Sequence, residues 1–285
     1  MSSKLIIRGR CFEWGQRTYL MGVLNVTPDS FSDGGEFNST STALAHAEAL
    51  VAAGADIIDV GGQSTRPGAE QITLAEELDR VLTVLQVVRE KISVPISVDT
   101  TRAAVAKASV EAGADIINDI SGGTFDSDML PTVASLDVPI ILMHIRGTPL
   151  TMQQMSDYQD LMGEISSFLA KQITAAIAFG IDLEKIIIDP GIGFAKNYEQ
   201  NLEIFRRLPS LKALNCPILV GASRKSFIGR ILNQPEPKAR VWGTAAACCA
   251  AIFHGADILR VHDVKEMRDV SLVADALFRQ SPQCE

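Results

Sequence analysis

Three groups of residues in this 285-residue chain have the types and spacing to do chemistry. The first is basic: Gly221-Ala222-Ser223-Arg224-Lys225-Ser226-Phe227, followed further on by Arg260-Val261-His262. Four cationic-capable side chains and two hydroxyls in two short segments point to an anion. At an effective dielectric of about 20, a contact ion pair is worth roughly 4 kcal/mol before desolvation, so several pairs favour a polyanion such as a diphosphate. Pairing with Asp263, Asp189 and other local carboxylates is the alternative. The second group is Asp99, Asn118 and Asp189. Carboxylates accept paired N–H donors, and an asparagine reads a donor and an acceptor edge together, which suits a flat heterocycle with a guanidine-like edge and an amide edge. A metal would want a His or Glu at ligand spacing beside them, and capping or loop roles explain each residue taken alone. The third group is a pair of segments, residues 25–35 (Asn-Val-Thr-Pro-Asp-Ser-Phe-Ser-Asp-Gly-Gly) and 61–68 (Gly-Gly-Gln-Ser-Thr-Arg-Pro-Gly). The Asn25 carbonyl is a hard oxygen ligand for Mg²⁺ (Mg2+), an ion that keeps most of its waters and leans on substrate phosphates.

These residues need a scaffold that brings them together. Eight short apolar runs cover residues 20–26, 57–60, 94–98, 116–117, 140–143, 186–188, 218–220 and 258–259, and each ends in polar or charged residues. Predicted helices over 41–53, 73–91, 102–112, 127–135, 157–179, 198–213, 239–254 and 264–279 separate nearly all of them. Eight strand-then-helix units predict an α/β fold, a (β/α)8 TIM barrel, with its active site at the carboxyl ends of the strands and an anion corner after strands 7 and 8. Two β-like runs around Gly9 and Gly15 predict a hairpin over residues 1–19 that plugs the barrel floor, with the barrel over 20–281. No linker composition divides the chain, so one domain over 1–285 is expected. The phrase Ala/His-Gly-Ala-Asp-Ile recurs at 53–57, 112–116 and 254–258, where glycine suits a left-handed helix cap before a buried strand. It reads as a stability feature of the floor. His144 and Arg146 end strand 5 and face the pocket in projection, with Met143 as an apolar wall. His46 and His254 read as ordinary helix residues and Cys248-Cys249 as tight packing.

A net charge of −8 argues against nucleic acid or an anionic membrane as partner. With 47% hydrophobic and 21% charged residues a sizeable core is available and disorder is not expected. The five scattered cysteines form no CxxC, which fits reduced thiols in a cytosolic protein. Residues 1–10 lack the long apolar core of a secretory signal, and the longest apolar stretch, 245–253, is too short to span a bilayer. A soluble cytoplasmic protein with no membrane partner is the expectation.

Taken together, segments 22–35, 61–68, 97–100, 118–122, 189–194, 221–229 and 260–264 resemble the dihydropteroate synthase family of pterin-binding TIM barrels, and they span essentially the whole chain. One departure is Gln63, where the family more often has Glu before Ser-Thr-Arg. The resemblance implies condensation of p-aminobenzoate with 6-hydroxymethyl-7,8-dihydropterin diphosphate, a magnesium-dependent step of folate synthesis and a target of sulfonamides. By matching position, Asp99, Asn118, Asp189 and Lys225 would hold the pterin. Arg260 would stack on the ring and, with Thr65, Val261, His262 and Mg²⁺ on Asn25, hold the diphosphate substrate. Phe31, Thr65, Pro67, Phe194 and Ser226 would bind p-aminobenzoate; Lys225, Asp33 and Arg66 would be catalytic. A homodimer through the later helices is also implied.

An aromatic amine is neutral and nucleophilic at pH 7, which agrees with the lack of any Ser/His/Asp or Cys/His arrangement in the chain. The difficult step is loss of diphosphate, so ionisation first, with Asp33 stabilising the cation and later taking the amine proton, is the expected mechanism. A methyltransferase acting on methyltetrahydrofolate would share the pterin floor but need no diphosphate corner. A non-catalytic pterin-binding paralogue would lack parts of the two loop motifs, and an isomerase or aldolase would want a barrel-end base.

Overall fold

The computed structural model describes residues 4–26 and 36–279, with side chains from residue 40 onward in the second stretch. The expected hairpin is present: β1 (Lys4–Ile7) and β2 (Arg10–Glu13) pair antiparallel. Eight parallel strands follow: β3 (Tyr19–Asn25), β4 (Ile57–Gly61), β5 (Ile96–Asp99), β6 (Ile116–Asp119), β7 (Ile140–Met143), β8 (Ile186–Asp189), β9 (Leu219–Val220) and β10 (Ile258–Val261). Their order is β8-β7-β6-β5-β4-β3-β10-β9, and an Ile188–Ile218 bridge joins the two ends into the expected barrel.

Side chains alternate inward and outward along each strand. Outward residues such as Ile58, Val60, Ile96, Val98 and Ile117 pack under the helices. The lowest inward layer is Met21, Ile57, Ile116, Ile141, Ile187, Leu219 and Ile258, and it forms one cluster with Leu5, Ile7, Phe12 and Trp14 of the hairpin segment. The hairpin therefore closes the floor. Two residues further along, the same parity points Asp59, Asn118, Asp189 and Arg260 inward, so the polar mouth is the next layer of the same packing.

The recurring Gly-Ala-Asp junction is a staple at the floor. Gly54, Gly113 and Gly255 have φ of +104°, +106° and +93°, a conformation that L side chains rarely adopt. Each following aspartate accepts from a backbone N–H at the start of a neighbouring strand: Asp56 from Leu20 at 2.9 Å, Asp115 from Ile96 at 2.9 Å and Asp257 from Ile218 at 3.0 Å. Ends of parallel strands leave such N–H groups without ladder partners, and a carboxylate satisfies them in charge-assisted bonds.

The helices are α1 (Glu36–Ala52), α2 (Leu74–Lys91), α3 (Ala103–Glu111), α4 (Met129–Leu136), α5 (Leu161–Ala178), α6 (Tyr198–Arg207), α7 (Ser226–Leu232), α8 (Val241–Phe253) and α9 (Val264–Phe278). Relative to the sequence expectation, α1 starts five residues earlier and α5 four later, and two further differences have a physical reason. The helix expected over 198–213 ends at Arg207 and tightens into a 3-10 turn through Leu208–Leu214, with Pro209 in its first turn; proline supplies no N–H to continue an α-helix. The short α7 was not expected, because residues 221–227 read as a binding loop. Among the described residues no helix is long and apolar enough to cross a membrane.

Candidate active site

The mouth holds a buried polar cluster built across four strands. Arg260 on β10 donates from Nε to Asp59 Oδ2 at 2.6 Å and from Nη2 to Asp99 Oδ2 at 3.0 Å. Asn118 donates to Asp59 Oδ2 at 3.2 Å. Asp59 is fully buried, so its carboxylate is a fixed counter-ion that orients both Arg260 and Asn118. Burial pushes the Asp99 carboxyl up to about 7, against the pull of Arg260.

Across the barrel, Asp189 Oδ1 accepts from Gly191 N at 2.7 Å, which leaves its second oxygen for a ligand. Burial raises its pKa, and Lys225 and Lys196 oppose the rise. Lys225 donates to Ile192 O at 2.6 Å and lies 4.2 Å from the centre of the Phe194 ring. Burial lowers Lys225 to about 8, with Asp189 holding it from falling further, so it is mostly protonated at neutral pH. The Ile192–Phe194 loop that holds Lys225 is tied from behind by the buried Lys196. Its Nζ donates to Phe194 O at 2.8 Å and lies 3.0 Å from His144 Nδ1. Burial and the neighbouring Lys196 hold the His144 ring down to about 2, so it stays neutral.

At the corner after β9 and β10, His262 Nδ1 lies 3.0 Å from Ser223 Oγ, and the Ser223 hydroxyl also accepts from His262 N at 3.2 Å. Burial, then Arg260 and Arg224, lower His262 to about 3. The ring is therefore a neutral hydrogen-bonding group here rather than a cation. Arg224 grips Asp263 through Nε at 3.0 Å and Nη2 at 2.5 Å. For Arg224 the local-carboxylate alternative holds, and Arg260 is likewise neutralised by Asp59 and Asp99. Val261 is buried in the layer between barrel and helices, so only its backbone is available at the strand end. Ser226 is exposed at the first position of α7.

The loop after β4 places Thr65 half-buried and Arg66 and Pro67 exposed at the rim. Its crest is tied to the loop after β7, where Gly68 N donates to Pro149 O at 3.0 Å. Asn25 ends β3 half-buried, beside the bare backbone of Gly61; a Cβ there would stand 3.8 Å from Asn25 Oδ1 and 3.5 Å from Asp99 Cβ. Among the described residues no three His, Cys, Asp or Glu side chains group as a metal site. A single amide oxygen suits a hard cation that keeps water and substrate oxygens as its other ligands. Phe31 and Asp33 lie outside the described residues.

A family model described as pterin binding enzyme matches residues 21–262. The chain is also 59% identical to a dihydropteroate synthase of Synechocystis, over 94% of this chain and 93% of that protein. The chain belongs to the dihydropteroate synthase family. Its fold superposes on a dihydropteroate synthase of Clostridium difficile solved in the presence of pteroic acid, with a TM-score of 0.90 at 44% identity, over 94% of this chain and all of that one. A Yersinia pestis dihydropteroate synthase in complex with a sulfonamide drug gives 0.90 at 43%, over 96% and 98%.

The geometry adds two residues that sequence reasoning did not single out, Asp59 beside Arg260 and Lys196 behind the Phe194 loop. It also corrects one projection: His144 is buried against Lys196 and Phe168, and Arg146 turns outward to Asp157 and Glu164 with its guanidinium over Tyr158, so neither lines the mouth. Met143, by contrast, is an inward residue in a small apolar cluster with Ile145, Ala195 and Phe194, next to Asp189 in the strand register.

Proposed function

We propose that this chain is a transferase that joins p-aminobenzoate to 6-hydroxymethyl-7,8-dihydropterin diphosphate, releasing 7,8-dihydropteroate and diphosphate, and that sulfonamides compete for its amine pocket. The observation that carries this is the juxtaposition of two half-sites in one mouth. Asp99, Asn118, Asp189 and Lys225 offer acceptors and donors to a flat ring, while Ser223, His262 and Arg260 stand at the adjoining corner. The pterin's amidine N–H groups donate to the carboxylates, and Lys225 donates to a ring acceptor. The C–O bond to diphosphate breaks with its electron pair leaving on oxygen, and the electron-rich pterin stabilises the methylene cation. The amine nitrogen then bonds to that carbon and loses its proton, for which Asp33 is the assigned acceptor. Thr65, Arg66, Pro67, Phe194 and Ser226 form the amine pocket, to which the sequence resemblance assigns Phe31 as well, and Val261 contributes backbone to the diphosphate corner. Magnesium would be held by Asn25, water and the diphosphate oxygens, and when bound it supplies neutralising charge to the leaving group.

The test is product formation with both substrates and Mg²⁺, then with each component omitted. Equimolar dihydropteroate and diphosphate only in the complete mixture is expected; an undiminished rate in chelator would remove the metal, and no dihydropteroate would remove the activity.

The pH dependence follows from two groups. Asp99 must be ionised to accept from the ring, so kcat/KM for the pterin substrate rises as pH increases through about 7. Lys225 must keep its proton to donate, so kcat/KM falls as pH increases through about 8. A narrow bell between these limbs is the expected profile; a flat profile from pH 6 to 9 would contradict both assignments.

The proposed cytoplasmic enzyme is a homodimer. An apolar cleft of about 310 Å³, lined by Leu202, Phe205, Ile231 and Ala247, runs between α6, α7 and α8. Trp242, Phe253, Leu272 and Leu277 expose further apolar surface on α8 and α9. Apolar surface exposed on neighbouring helices suits a second copy of the chain. Trp242→Glu is expected to shift equilibrium sedimentation from dimer to monomer; a wild-type protein that sediments as a monomer would end the proposal.

A further inference from the structure

The turn that delivers Lys225 to the mouth carries an unusual backbone. Lys225 N donates to Ala222 O at 3.2 Å, which closes the turn, and Arg224 inside it has φ of +61°, a region that residues other than glycine rarely enter. Two buried residues at the start of α8 hold it there. Thr244 Oγ1 accepts from Arg224 N at 3.1 Å, and Arg240 Nη1 donates to Arg224 O at 2.8 Å. The same guanidinium donates from Nε to Gln234 O at 2.9 Å and from Nη2 to Pro235 O at 2.5 Å. It therefore joins the turn before α7 to the segment after it. Gly229 leaves the room for this, since a Cβ there would stand 2.5 Å from Arg240 Cζ. The seven residues of α7 are too few to hold a helix by themselves, so it depends on such tertiary ties.

We propose that Arg240, together with Thr244, is a positioning residue of the anion corner, a bracket that fixes the Ala222–Lys225 turn so that Ser223 faces His262 and Lys225 enters the pterin half-site. The proposal rests on the reading of Lys225 as a pterin ligand. The three carbonyls need donors spread in one plane, which a guanidinium supplies and an ammonium does not.

Hydrogen exchange and steady-state kinetics are measured on wild type, Thr244→Val, Arg240→Lys and Arg240→Ala, all well below their melting temperatures. Thr244→Val keeps the shape and removes one hydrogen bond of ordinary strength, so kcat/KM for the pterin diphosphate falls about fivefold. Arg240→Ala removes a charge-assisted bond to the turn and lowers it by about 10- to 100-fold. Arg240→Lys does not recover this loss, whereas free guanidinium, at a concentration that leaves the fold intact, restores Arg240→Ala by at least about fivefold. Amides of residues 222–229 exchange about tenfold faster in Arg240→Ala. Lys225 faces Asp189, Asp99 and Arg260, with Lys196 nearby, and burial is the largest influence on it. A loosened turn returns its ammonium to water, so the alkaline limb of kcat/KM in Arg240→Ala moves upward from about 8.

A lower melting temperature with the alkaline limb in its wild-type place and no response to guanidinium would assign Arg240 to general stability and overturn the proposal. So would wild-type kcat/KM in Thr244→Val and Arg240→Ala. If Arg240→Ala does not fold, the rate and exchange of Thr244→Val decide alone, and wild-type values in both would overturn the bracket. If wild-type protein makes no dihydropteroate, the functional reading fails on its own, and unchanged exchange of residues 222–229 in Arg240→Ala would still overturn the bracket.

Discussion

Lys225→Ala is expected to lower kcat/KM for the pterin diphosphate by roughly 100- to 1000-fold. Lys225 stands between the two half-sites, tied to Ile192 O and beside the Phe194 ring, and it is charged at neutral pH. A hydrogen bond from a charged donor contributes about 1.5–3 kcal/mol, and removing one donor that stabilises developing negative charge costs about 2.7–4 kcal/mol. These describe overlapping roles of one group, so about 3–4 kcal/mol is the expected loss, and each 1.36 kcal/mol is about tenfold in rate. Lys225→Arg does not restore the rate, because a planar guanidinium is larger and its donors diverge. Initial rates of diphosphate release across substrate concentrations give the answer. Near-normal kcat/KM in the alanine variant would take Lys225 out of the site and leave the pterin floor without its donor.

Asp59→Ala is expected to damage both folding and binding. Asp59 Oδ2 receives Arg260 at 2.6 Å and Asn118 at 3.2 Å, and the carboxylate is fully buried. Removing one partner of a buried ion pair costs about 3–5 kcal/mol, and here it strips Arg260 of the nearer of its two carboxylates and Asn118 of its acceptor. A loss of that size lowers the melting temperature by roughly 6–20 °C for a domain of this size class. Arg260 keeps Asp99 as its remaining partner and is drawn onto the oxygens assigned to the pterin. Affinity for the pterin substrate, measured by calorimetry well below the melting point, should therefore fall by at least about tenfold, the equivalent of one charge-assisted hydrogen bond. Asp59→Asn keeps the volume and an acceptor, so it separates packing from charge. Wild-type melting together with wild-type affinity in the alanine variant would mean that Asp59 positions nothing.

The barrel was legible because its two periodicities are simple. Apolar runs of strand length, separated by helix-length stretches, allow few other architectures, and the polar residue at each run's end lands at one mouth by the geometry of parallel strands. Asp99, Asn118 and Asp189 were found for that reason. Asp59 was missed because it lies inside the run Ile57-Ile58-Asp59-Val60 rather than at its end. A signal was available: a charged residue at an inward position of a buried strand needs a counter-ion, and Arg260 has the same parity on β10. Lys196 gave no comparable signal, since Phe194-Ala195-Lys196-Asn197 reads as an ordinary solvated loop. Only the return of that loop against His144 buries the amine. The pairing of Arg224 with Asp263 was foreseen as an alternative, and local charge balance decided it. α7 escaped because seven residues are too few for a helical period to stand out beside a basic loop. Phe31 and Asp33 rest on the sequence resemblance alone.

The most direct test is a crystal of this protein soaked with 6-hydroxymethyl-7,8-dihydropterin diphosphate. The ring should lie at the mouth, within hydrogen-bonding distance of Asp99, Asn118, Asp189 and Lys225, with the diphosphate toward Ser223 and His262. A ring bound at any other place, or a diphosphate on the opposite side of the barrel mouth, would contradict the joining of the two half-sites.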